Sequence, residues 1–436
     1  MARMSSVIGR YLAAIGCGLA IAVSLPAGAQ TPDPALPDEV IVKMRTGQDV
    51  AGVLATHGLT VISRFGKRPI YRLHVREQND ADAKVEALRA DPRVEFAERN
   101  YVNQTPERRR NVVWAIGGDA GTYAAQWAPT TMNLAEAHRI SGGERSTVAV
   151  LDTGIDASHP VFAGRLVPGW DFVEGDGDPR EEGTPAQQGY GHGTHVAGLV
   201  VLAAPRTAIM PLRILDADGQ GNLWVLAEAI MHAVDPDGSP YTNGGSANVI
   251  NLSLGTTRET RLLNTAIELA TCSDDDDGED GDDYSDAGFD DDAVRCHLFS
   301  GAVVVAAAGN SGSTTERQYP AAEGAEGVLA VTASTQESRL ADFANRGPWV
   351  SIAAPGEQIT SALPGGQWGV WNGTSMAAPL TAGVAALIRS ANPDWKPVDV
   401  TKRIMERSGM LCGTSLRHVD ALAAVRDYVP AGFACR

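Results

Sequence analysis

Past its first thirty residues the 436-residue chain has no run of 18 or more apolar residues, so nothing there reads as a membrane-spanning helix and no membrane partner is expected. It has no basic excess either. With 53 acidic against 36 basic side chains the formal net charge is -17, the wrong sign for a phosphate backbone, and nucleic acid is not an expected partner. Cysteine is scarce, five in all, with no C-x-x-C spacing and no adjacent histidine pair, which argues against a zinc site. Collagen-like triplets, heptads and repeats of fixed period are also absent. What is present, 44% hydrophobic and 20% charged residues over this length, is the composition of a globular protein with two or three domains and a sizeable core. A monomer is expected.

Residues 1–29 combine Arg3 and Arg10, an apolar stretch from Tyr11 to Leu25, and the small residues Ala27-Gly28-Ala29. This is the pattern of a secretory signal, so the chain is expected to be exported, to the periplasm or beyond, starting at Gln30. Four cysteines would remain: Cys272, Cys296, Cys412 and Cys435. In an oxidising compartment they suggest two disulfides with three possible connectivities. Cys272 with Cys296, closing the loop between them, and Cys412 with Cys435, tying down the C-terminus, are the favoured pairs.

A Pro-rich linker (30–37) leads into a compact segment, 38–103. Glu39–Met44, Ile70–Val75 and Val94–Ala97 read as strands and Asp80–Ala90 as an amphipathic helix, making a small α+β domain. Residues 104–125, with Arg108-Arg109-Arg110 and a Gly/Ala-rich stretch, read as an exposed linker open to proteolysis. From Gln126 to 429 the pattern is α/β. Val148–Leu151, Val249–Leu252, Val303–Ala307 and Val328–Val331 are near-continuous apolar runs, the mark of a parallel sheet covered on both faces, with helices at His192–Val201, Leu223–Val234 and Ser375–Ala391. A tail, 430–436, follows. Between Ser273 and Asp292 stand twelve carboxylates and no base, twelve of the seventeen excess negative charges. Asp with Gly at such density could wrap Ca2+, although no EF-hand loop is present, and a solvated acidic insertion accounts for the segment equally well.

Three motifs place chemistry at the ends of elements. A buried strand ends on Asp152 in Val148-Ala149-Val150-Leu151-Asp152-Thr153-Gly154; His192 stands in Gly191-His192-Gly193-Thr194-His195; Ser375 stands in Asn372-Gly373-Thr374-Ser375-Met376-Ala377. A serine hydroxyl becomes nucleophilic when an imidazole accepts its proton, and the imidazole needs a carboxylate on its other nitrogen to hold the useful tautomer. Ser375, His192 and Asp152 supply those three groups. Ser375 is read as opening an Ala/Gly-rich helix whose N-terminus favours negative charge, with Pro379 tolerated in the first turn. A fourth element, Val303–Ala307 followed by Ala308-Gly309-Asn310, delivers an amide that could meet an oxyanion together with the Ser375 N–H.

At these motifs the chain resembles the subtilisin-like serine proteases, over roughly Gln126 to Tyr428. The resemblance implies a three-layer subtilisin-like α/β domain with a mostly parallel central sheet, and a serine endopeptidase acting on protein or peptide substrates with no required cofactor. It assigns Asp152, His192 and Ser375 to catalysis and Asn310 to the oxyanion hole. Ser253, Leu254 and Gly255 would pair with an extended substrate, Ala307, Ala308 and Gly309 would line the opposite wall of the P1 pocket, and Gln318 falls near its floor. The segment 38–103 is similar to the family's propeptide, an intramolecular chaperone and inhibitor, with the maturation cut between Val102 and Tyr123. Leu199–Pro205 is shorter than in relatives with a calcium loop, which leaves the acidic segment 273–292 as the only candidate for Ca2+.

Overall fold

The computed structural model describes residues 33–76, 80–109, 115–234, 246–272 and 301–432. The signal segment 1–29, the acidic segment 273–292, Cys296 and Cys435 lie outside them.

The larger part is built on a nine-stranded sheet. Its order is Gly409–Met410, Arg417–His418, Ile352–Pro355, Val328–Ser334, Val303–Ala307, Val249–Leu252, Thr147–Asp152, Ala208–Arg213 and Trp170–Asp171. Neighbours run parallel except for the hairpin at the Gly409–Met410 edge. The near-continuous apolar runs have a simple cause: alternate side chains enter two different cores. Val148 and Val150 face one core, with the helices His192–Ala203 and Thr374–Ala391. Ala149 and Leu151 face the other, with Leu223–Val234 and Arg261–Thr271. A strand covered on both faces has no polar side to show. The two helices of the first core come so close that a Cβ on Gly383 would overlap the Cβ of Ala203. Among the described residues no helix is long and apolar enough to cross a membrane.

The smaller part is an antiparallel sheet, in the order Leu59–Arg64, Ile70–Val75, Ala35–Met44 and Val94–Gln104, with the helices Val50–His57 and Ala81–Arg89 and a core of its own. The helix Val50–His57 is capped by Asp49, which accepts from Ala51 N, and ends at Gly58 with φ +67°. This sheet does not stop at its own edge. Val102–Gln104 pairs antiparallel with Gln220–Asn222 of the larger part.

Two sequence expectations need correction. The last strand of the small sheet runs from Val94 to Gln104 rather than ending at Ala97, because its polar residues are used in docking. Glu98 accepts from the N–H groups of Arg261 and Leu262 at a helix N-terminus, and Asn100 accepts from Trp224 N. The start of the expected exposed linker is not exposed either: Thr105 and Glu107 are 1% and 3% accessible. Residues 106–109 form a 3-10 turn packed into the larger part, whereas Ala115–Ile116, further along, is exposed.

Candidate active site

The carboxyl ends of the central strands gather the residues singled out above. Thr147–Asp152 ends on Asp152, whose Oδ1 accepts from the Thr153 N–H at 2.8 Å and is bonded to His192 Nδ1 at 2.7 Å. His192 opens its helix. The next residue must be glycine, since a Cβ there would press into the Gly154 carbonyl oxygen. Asp152 and His192 are both buried, so the carboxylate strongly favours the Nδ1–H tautomer or the imidazolium.

Ser375 lies one residue inside the helix Thr374–Ala391, and Pro379 is the sixth residue of that helix, not part of its first turn. Proline cannot donate to the Ser375 carbonyl four residues back. Ser253 Oγ donates to that carbonyl instead, at 3.0 Å, and Asn251 Nδ2 in turn donates to Ser253 Oγ. Asn310 follows the strand Val303–Ala307 after two residues. Its Oδ1 accepts from both the N–H and the hydroxyl of Thr374, each at 2.9 Å, so the amide Nδ2 must face the other way, toward Ser375.

What faces these groups is a residue that sequence reasoning did not single out. Glu107 Oε2 accepts from Ser375 Oγ at 2.8 Å, and Oε1 accepts from Asn310 Nδ2 at 2.9 Å. His192 Nε2 stands 3.3 Å from Oε2, an ion-pair separation without hydrogen-bond alignment. Among the described hydrogen bonds Ser375 Oγ donates to Glu107 Oε2 at 2.8 Å, with Ser253 O a longer alternative at 3.3 Å, and not to His192. Burial works against charge on His192, but the Asp152 and Glu107 carboxylates outweigh it and hold its pKa well above the ordinary value.

The sequence profile of the Subtilase family matches residues 143–423, well over half of the chain. The chain belongs to the subtilase family. It is a serine endopeptidase, and residues 25–100 match the fervidolysin N-terminal prodomain. A thermophilic serine proteinase of Bacillus sp. (strain AK1) is 33% identical over 390 residues, covering 86% of this chain and 83% of the relative. Thermitase of Thermoactinomyces vulgaris is 34% identical over 275 residues, 61% of this chain and 82% of the relative. Among solved structures, fervidolysin from Fervidobacterium pennivorans shares the fold with TM-score 0.66 at 21% identity, covering 91% of this chain and 62% of that one.

In this subtilase the expected substrate-pairing segment already holds a strand. Gly255 N donates to Gln104 O and Gln104 N donates to Gly255 O, both at 3.0 Å. On its other side the chain follows Gln220–Asn222, and Thr105 N donates to Gly219 O. The wall Gly219–Asn222 was not anticipated; its signal was the Gly219-x-Gly221 pair before a helix. Leu254 is fully buried. Ala307 and Ala308 are buried as well, and Gly309, with φ +104°, lies against the side chains of Gln318 and Asn345. Gln318 also abuts Gly255, so it stands between the two walls, and its buried Nε2 has no partner among the described residues.

Glu181 was also missed. Its carboxyl group is buried, and Oε2 accepts from Thr194 N at 3.1 Å and from the Thr194 hydroxyl at 2.9 Å, in the first turn of the helix that carries His192. Burial pushes its pKa up to about 7, with the Asp152 charge adding to the effect. His195, stacked on Trp371 at 4.4 Å, is driven down to about 3 by burial and stays neutral. No group of three or more His, Cys, Asp or Glu side chains among the described residues is placed to hold a metal ion.

Proposed function

We propose that this subtilase is an exported, self-processing endopeptidase that uses Asp152, His192 and Ser375 as its triad and Asn310 in its oxyanion hole. The observation that carries the reading is the convergence on one point. A single oxygen-bearing group, the Glu107 carboxylate, is within reach of Ser375 Oγ, Asn310 Nδ2 and His192 Nε2 at once. Once the site is open, His192 takes the Ser375 proton and Oγ attacks the peptide carbonyl. Asn310 Nδ2 and the Ser375 N–H receive the developing oxyanion. His192 then protonates the leaving amine, and a water activated by the same imidazole releases the acyl group. Nothing in this scheme needs a metal or other cofactor; Ca2+ is a candidate ligand only for 273–292.

Extended protein or peptide substrates would bind as 102–105 do, by main-chain pairing with Gly255 and Gly219–Asn222, which sets modest demands on sequence. The segment 38–103 acts as propeptide and inhibitor, and the maturation cut falls between Val102 and Tyr123. Export with residues 1–29 as its signal goes with two disulfides, Cys272 with Cys296 and Cys412 with Cys435. The test is the intact mass of the exported product for wild type and Ser375→Ala, expressed identically. Loss of the prosegment in wild type alone supports the reading. Loss in both, or in neither, counts against self-processing.

A further inference from the structure

The prosegment enters the cleft as a strand and does not leave it as one. Through Thr105 the chain keeps its pairing with Gly219–Asn222 and Gly255, but at Pro106 it coils into the 3-10 turn Pro106–Arg109. Arg108 Nη1 anchors that turn to Asp218 O at 2.6 Å. The turn brings a side chain, not a main-chain carbonyl, to Ser375 and Asn310. The fit is close: a Cβ on Gly373, the residue before the serine helix, would overlap Glu107 Oε1. At 3% accessibility the carboxylate is out of water, and its partners are a hydroxyl, an amide and an imidazole. A carboxylate so placed requires donors on both oxygens, and it has them.

We propose that the catalytic centre is a carboxylate-binding site and that Glu107 is its built-in ligand, latching the uncut enzyme in an inactive state. The inference rests on the triad and oxyanion-hole reading given above and adds a specific inhibitory group to it. The latch acts in three ways. The Ser375 proton is donated to Glu107 in place of His192, so the nucleophile is not activated. The Asn310 donor needed for an oxyanion is occupied. His192, between the Asp152 and Glu107 carboxylates, is favoured as imidazolium, and an imidazolium cannot accept a proton. Cleavage therefore waits on unwinding of the 106–109 turn, which makes latch release a step distinct from dissociation of the folded prodomain.

The test uses the full chain sampled during maturation, reacted with a small phosphonofluoridate whose phosphorus bonds to Ser375 Oγ as fluoride leaves. Intact mass separates uncut from cut protein, so both labelling rates come from one sample. The uncut wild type should label about tenfold to a hundredfold more slowly than the cut product, the loss expected for a charge-assisted pair of hydrogen bonds. Glu107→Ala should bring the uncut rate most of the way to the cut rate. Glu107→Gln, which keeps the shape and lowers the risk of misfolding, should raise it at least about threefold. Uncut Glu107→Ala and Glu107→Gln chains that label as slowly as wild type would overturn the latch, leaving the prosegment strand as the obstruction. Failure of the cut wild-type product to label at Ser375 would instead overturn the triad reading itself.

Discussion

Asn310 offers the sharpest check on the proposed chemistry. Its side chain is fixed at both ends: Oδ1 accepts two hydrogen bonds from Thr374, and Nδ2 donates at 2.9 Å to Glu107 Oε1. A donor held in this way costs no reorganisation when charge develops on a substrate oxygen, so most of its value belongs to the transition state. Asn310→Ala should lower kcat by about 100-fold to 1000-fold, or about 2.7–4 kcal/mol, with KM changed by less than about threefold. Thr374→Val removes the hydroxyl, which donates to Asn310 Oδ1 and accepts from Gly309 N, and should lower kcat by at least about fivefold, the value of about 1 kcal/mol for the bond to Asn310. The assay is steady-state hydrolysis of a peptide substrate by the cut enzyme, with folding of each variant checked by thermal unfolding. A drop in kcat of less than tenfold for Asn310→Ala, or an effect found wholly in KM, would refute the oxyanion role.

Three further outcomes follow from other residues. Burial pushes Glu98 up to about 7 where it caps the Arg261–Thr271 helix; a carboxyl raised on docking stabilises the docked state at pH below its free value and loses that contribution as pH rises through the docked value. Prosegment affinity measured after cleavage should thus fall by up to about tenfold per pH unit between pH 5 and 7, and Glu98→Gln should flatten that slope; equal slopes would contradict it. Glu181→Gln keeps the packing against Thr194 but removes the charge that Glu181 carries beside Asp152 above pH 7, so kcat above that pH should fall by about threefold to tenfold with KM unchanged, and a rise in KM alone would contradict a role in holding the His192 helix. Gln318→Gly should empty the space between Gly255 and Gly309 and raise kcat/KM for large apolar P1 residues at least about tenfold over small ones; an unaltered P1 series would place the pocket elsewhere.

Local sequence was legible where one environment dominates. Val249–Leu252 and Val303–Ala307 have the bounds expected of them, since both faces of these strands are buried and every residue but Asn251 is apolar. Leu59–Arg64 went unread because it is an edge strand with mostly accessible side chains, which leaves no alternation to see. Val50–His57 was hidden by Gly52 and a short, weakly patterned run. The second half of Val94–Gln104 has the composition of a loop. Its Glu98, Asn100 and Asn103 are polar for the sake of partners across the docking surface, and no window of sequence contains those partners.

The sequence by itself determined the layers, the parallel sheet, and the strand-end and helix-start positions of Asp152, His192, Ser375 and Asn310, because periodicity and turn chemistry are properties of a few neighbouring residues. Which partner holds the Ser375 proton is another kind of fact. It turns on Glu107, 268 residues away along the chain, in a Thr-Pro-Glu-Arg stretch with nothing to mark it. Only the tertiary structure, by pairing Gln104 with Gly255 and coiling the next residues back into the cleft, brings that carboxylate to the serine.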